Sequence, residues 1–93
     1  MRYTLVTTEN FEKQLKKLDR SVQVIVVKWI RKHLENCEDP KAFGKGLTPN
    51  MKGYWRYRIG DYRLLVEIRE EELIVVAISI AQNKIQTILN ERG

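Results

Sequence analysis

The chain has 93 residues, enough for one domain around one core. Its 43% hydrophobic and 31% charged content excludes a disordered chain. With 17 Lys and Arg against 12 Asp and Glu, the net charge of +5 favours nucleic acid or an acidic protein as partner. The one cysteine, Cys37, excludes an internal disulfide, and one Cys with one His, His33, argues against a zinc site. No secretory segment opens the chain and no apolar run reaches the ~18 residues of a membrane span. The expectation is a cytoplasmic protein with no metal, no cofactor and no membrane contact.

Tyr3 to Thr7 is a short β-prone run that predicts a strand added to a larger sheet. Thr8 or Asn10 can cap the helix that follows, where Phe11, Leu15 and Leu18 recur on one stripe to an end near Asp19. Asp19 or Ser21 then caps a longer helix reaching about Asn36. Its apolar face is Val22, Ile25, Val26, Trp29, Ile30 and Leu34. So short a link predicts a helical hairpin. Glu38-Asp39-Pro40 stops the second helix. Residues 38–53 form the one long loop, with Gly44, Gly46 and Gly53 and the lysines Lys41, Lys45 and Lys52.

Gly53 to Ile80 carries the strongest pattern and predicts three antiparallel strands. Tyr54 to Ile59 and Tyr62 to Arg69 are joined by Gly60-Asp61, a type I′ or II′ hairpin signal. A two-residue loop sets Ile59 opposite Tyr62, Arg58 opposite Arg63, Tyr57 opposite Leu64 and Arg56 opposite Leu65. Trp55, Tyr57, Ile59, Tyr62, Leu64, Val66 and Ile68 then share a core face, while Arg56, Arg58 and Arg63 share the other. Like charges opposed across a ladder cost about 0.2–1 kcal/mol. A sequence that keeps them there points to an anion site, since the planar guanidinium donates two parallel hydrogen bonds to a phosphate. Lys45 and Lys52, in the loop entering this strand, are candidates for the same anion. After the acidic turn Glu70-Glu71-Glu72, Leu73 to Ile80 is the third strand. With unbroken parity Leu73, Val75 and Ala77 join the core face, and Ile74, Val76, Ile78 and Ile80 lie on the arginine side. Ile85, Ile88 and Leu89 are spaced for one face of a short C-terminal helix. The whole is an α+β fold over residues 1–93: an N-terminal strand and helical hairpin packed on an antiparallel β-meander, closed by a short helix.

This order, with LKKLDR (Leu15 to Arg20), Gly44-Lys45-Gly46-Leu47 and GYWRYRIGDYRLLVEI (Gly53 to Ile68) followed by LIVVAIS, resembles the RelE/ParE superfamily of toxins from bacterial and archaeal toxin–antitoxin pairs. The resemblance spans nearly the whole chain. It implies a type II toxin of the RelE-like branch: a ribosome-dependent, metal-independent mRNA endonuclease that inhibits translation. Its partners would be the ribosome, mRNA and a cognate antitoxin protein that neutralises it. RelE-like enzymes carry basic residues on the second strand and an Arg early in the third, and Arg56, Arg58 and Arg63 match these positions as catalytic residues. Lys45 and Lys52 from the loop, with Lys84, are the candidates for RNA contact. The sequence departs from the superfamily after the last strand. Where members carry a basic residue, often in Gly-His-Arg, and then a Tyr, it reads Ala81-Gln82-Asn83-Lys84 and then Ile85 to Leu89, with Lys84 standing where the cation is missing. Two other readings stay open: a ParE-like gyrase poison, and a weakened toxin that acts mainly as an antitoxin-binding corepressor.

Overall fold

The computed structural model describes residues 1–47 and 53–82. In chain order the elements are β1 (Thr4–Thr7), α1 (Glu9–Lys16), α2 (Arg20–His33), a 3₁₀ turn (Pro40–Phe43), β2 (Lys45–Gly46), β3 (Tyr54–Ile59), β4 (Tyr62–Arg69) and β5 (Ile74–Gln82). The strands form one mixed sheet in the order β1-β5-β4-β3-β2, with β1 parallel to β5 and the other pairs antiparallel. The expected C-terminal helix falls outside the described residues.

Both helices cover one face of the sheet. Phe11 from α1, Val26 and Ile30 from α2, and Leu34 just beyond it meet Tyr57, Ile59, Leu64, Val66, Ile68, Val75, Ala77 and Ile80 in a single core. Thr8 is the cap of α1, its hydroxyl accepting from the Phe11 amide at 3.1 Å. Asp19 stands at the N-cap of α2 but makes no side-chain bond there. Instead Gln23 donates back to the Leu18 carbonyl at 2.8 Å, tying the start of α2 to the end of α1. α2 stops at His33, and Asn36 takes a positive φ of 58° just after it. One expected core residue is misplaced: Ile25 is 57% exposed. On this side the residues packed against the core are Val22, Val26, Trp29, Ile30 and Leu34, and Ile25 lies at the edge of that stripe.

The β3–β4 hairpin has the expected register at every predicted pair. Only Gly60 takes a positive φ in the loop, +59°, which makes the turn type II′ rather than I′. The third strand differs from unbroken alternation in two places. Leu73 is not in the strand; it sits in the turn with φ +55°, and β5 begins at Ile74. Further along, Val66 pairs with Ala77 but Leu65 pairs with Ser79, so Ile78 is an extra, bulged residue. The bulge reverses the parity after it. Ile80 therefore joins the core, 2% exposed, instead of the arginine side, where Ser79 and Ala81 now stand beside Leu65 and Arg63.

The bulge is stabilised from α1. The Ala77 carbonyl accepts from the Thr8 hydroxyl at 2.9 Å and the Thr8 amide at 3.1 Å. The Ile78 carbonyl accepts from Asn10 Nδ2 at 2.9 Å, and the Ile80 amide donates to Gln14 Oε1 at 2.9 Å. β1 ends at Thr7, so these side chains take over where its ladder stops. A ladder hydrogen bond contributes about 0.5–1.5 kcal/mol net. Burying an isoleucine contributes about 1.5–3 kcal/mol. With the polar groups re-bonded, burial decides the register.

Candidate functional site

Arg58 and Arg63 are direct cross-strand partners, and Arg56 pairs with Leu65 one step along the same face. The feature that completes the site is β2. Lys45 is the partner of Arg56, so this short strand sets a fourth cation beside the three arginines. Gly44 makes the approach possible. A Cβ there would lie 2.7 Å from the Arg56 carbonyl oxygen and from the Tyr57 ring, closer than side-chain carbons come. The loop thus lies flat on β3 and walls a cleft of about 390 Å³. Arg56, Arg58 and Arg63 line it together with Lys45, Phe43 and Tyr62.

Among the described residues, no carboxylate lies within 4.0 Å of Lys45, Arg56, Arg58 or Arg63. The neighbouring basic residues are engaged elsewhere. Lys41 bonds Glu70, which holds its ammonium pKa above the ordinary value, and it lies 5.6 Å over the Trp55 ring. Arg69 is bonded to Glu67 and lies 3.9 Å from Glu72. Four like charges without counter-charge around one cavity favour a polyanion of matching spacing, and guanidinium geometry favours phosphate. Lys52 and Lys84, the other two candidate cations, lie outside the described residues.

Two tyrosines line the cleft in different states. Tyr57 is fully buried and donates to the Pro40 carbonyl at 2.7 Å, and burial pushes its pKa well above the ordinary tyrosine value. Tyr62 is half-buried and packs against the core on the face its register assigns it, with no hydrogen-bond partner for its hydroxyl among the described residues. Phe43, at the end of the 3₁₀ turn, is 47% exposed on the cleft wall. Sequence reasoning missed β2 and Phe43. A two-residue strand has no periodicity to detect, and an aromatic next to a loop glycine carries no pattern of its own. Cys37 and His33 form no pair: burial raises the Cys37 thiol pKa, and His33 stacks between Trp29 and Phe43 at 4.5 and 4.8 Å. Among the described residues no three His, Cys, Asp or Glu side chains are grouped to hold a metal ion, and no helix is long and apolar enough to cross a membrane.

Comparison with known proteins decides the family. Residues 5–85 match the model of the ParE toxin of the type II toxin–antitoxin system parDE. The chain belongs to the ParE toxin family, within the RelE/ParE superfamily of type II toxins. It is 26% identical over 90 residues to an Escherichia coli protein described as RelE-like toxin, covering 97% of this chain and 93% of that one. A chain of the RelBE2 toxin–antitoxin complex from Mycobacterium tuberculosis superposes with a TM-score of 0.78 at 29% identity, covering 89% of this toxin and 93% of that chain. The isolated Escherichia coli RelE toxin shares the fold, with a TM-score of 0.67 at 21% identity and 97% of each chain covered. The sheet with both helices on one face is that of the superfamily, and the toxin's four-cation cleft opens at the β2–β3–β4 end of it.

Proposed function

We propose that this toxin is a ribosome-dependent, metal-independent endoribonuclease that cleaves mRNA and is held inactive by a cognate antitoxin. The single observation that carries this is the pairing of Arg58 with Arg63, joined by Arg56 and Lys45 around one cleft with no carboxylate partner among the described residues. In the reaction, the 2′-hydroxyl of a nucleotide attacks the adjacent phosphorus and displaces the 5′-oxygen of the next. Negative charge rises on the non-bridging oxygens in the transition state, and fixed guanidinium donors stabilise that charge more than the ground state. Arginine stays protonated, so its part is electrostatic. The 2′-hydroxyl gives up its proton to solvent and the departing 5′-oxygen takes one up from solvent, so the side chains supply charge stabilisation only. A 2′,3′-cyclic phosphate and a 5′-hydroxyl are the products. The antitoxin part rests on the type II toxin family and on the RelBE complexes among the similar structures.

A second reading has its own observation: the matching family model is that of ParE, whose superfamily branch includes gyrase poisons. Induction from a tight promoter followed by mapping of RNA ends separates the two. The nuclease reading predicts new 5′-hydroxyl ends inside translated reading frames. Growth arrest with a DNA-damage response and no new RNA ends would overturn it in favour of the gyrase reading.

A further inference from the structure

Phe43 is a large apolar side chain, 47% exposed, on the wall of a cleft that also holds Lys45, Arg56, Arg58 and Arg63. Its position is built rather than incidental. The 3₁₀ turn, closed by the Gly44 amide on the Lys41 carbonyl, holds its backbone from one side. The contact of Gly44 with β3 holds it from the other. Behind the ring, His33 lies at 4.8 Å between centroids with a tilt of 56°, Trp29 is stacked on His33 at 4.5 Å, and Trp29 meets the buried Tyr57 ring at 5.4 Å. This chain of rings runs from the core to the cleft and leaves Phe43 as its open end. An exposed aromatic gains nothing for stability from its solvent-facing surface, while a nucleobase has a π-face to cover it.

Resting on the ribonuclease reading above, we infer that Phe43 is a stacking platform for one unpaired nucleobase of the RNA whose phosphate lies among Arg56, Arg58 and Arg63. Arginines hold the backbone without regard to sequence, and the ring fixes one base so that the adjacent phosphate is presented in a single orientation. Loss of such a stack weakens binding about ten- to a hundred-fold.

The test uses the purified chain with two short single-stranded RNAs, one carrying 2-aminopurine and one with that position abasic. Wild type and the variants Phe43→Leu and Phe43→Tyr are compared at fixed salt. Wild type and Phe43→Tyr are expected to quench 2-aminopurine and to bind the base-bearing RNA at least about ten-fold more tightly than the abasic one. Phe43→Leu keeps an apolar side chain but no ring, and is expected to lose both the quenching and the preference, with abasic binding and its salt dependence unchanged. Retained quenching in Phe43→Leu would overturn the inference while leaving the phosphate site intact. So would an equal loss for both RNAs, which marks a structural role. Failure of wild type to bind either RNA would overturn the platform, while the ribonuclease reading stands or falls separately on the mapping of RNA ends.

Discussion

Arg58 and Arg63 stand directly opposite each other across the β3–β4 ladder, with no carboxylate near either among the described residues. Directly opposed residues keep their Cβ atoms about 4.5–5.5 Å apart, so the repulsion is present in the folded state and weaker in the unfolded chain. The pair is therefore a cost to the fold. Arg58→Thr places a β-branched residue with good strand propensity at the same exposed position. We expect its thermal midpoint to rise by about 1–5 °C in calorimetry at low salt. Its affinity for single-stranded RNA is expected to fall, with the slope of log K against log salt shallower by about 0.7. A lower midpoint with unchanged RNA affinity would contradict this.

The hairpin and its two faces were legible because a two-residue Gly-Asp loop fixes register and the strands alternate cleanly. The bulge at Ile78 was not legible. In Ile78-Ser79-Ile80 either isoleucine can take the core position, and the choice is made by Thr8, Asn10 and Gln14, distant in sequence. The site divided the same way. Three arginines on one face of the β3–β4 hairpin follow from alternation, whereas Lys45 reaches Arg56 only because Gly44 lets the loop lie on β3. Ile25 satisfied the helical spacing, yet it lies at the edge of the packed stripe and is exposed.

Gln14 is the acceptor for the Ile80 amide, beyond the point where the β1 ladder on β5 stops. Gln14→Leu keeps the size and leaves that N–H without its partner, which costs about 1–3 kcal/mol. Denaturant unfolding should show a lower midpoint with an unchanged m-value. Hydrogen exchange at Ile80 should rise more than exchange at Val75. Equal protection at both sites would show that the bulge does not depend on α1.

Gly44→Ala brings a methyl group to 2.7 Å from the Arg56 carbonyl oxygen and the Tyr57 ring, so β2 has to lift from β3. Overpacking of this kind costs about 1–3 kcal/mol. The larger expected effect is functional: Lys45 leaves the cleft, and cleavage falls while the core remains folded. Wild-type activity in Gly44→Ala would mean that β2 does not position a functional cation.

Tyr57 is neutral in the folded protein and its pKa is raised above the ordinary value of 10.0 by burial. The folded state thus binds this proton more tightly than the unfolded chain does. That contribution to stability is fully present below pH ~10 and is lost as the pH rises beyond it. Tyr57→Phe should be less stable at neutral pH by about 1–3 kcal/mol, because the Pro40 carbonyl loses its donor. It should also lack the alkaline decline expected of wild type above pH 10. A decline of the same steepness in the variant would locate the titrating group elsewhere.

The central claim is that the arginine cleft stabilises a cleaving phosphate. Arg63 tests it most directly, since it faces Arg58 and lines the cleft, while the buried core is made by other residues. The measurement is single-turnover cleavage of mRNA bound in programmed ribosomes by wild type and Arg63→Ala, each shown to be folded by its unfolding midpoint. Wild type should yield 5′-hydroxyl fragments, and Arg63→Ala should be slower by about 10²–10³-fold. Equal rates for the two proteins, or a folded wild type that leaves the message intact, would contradict it.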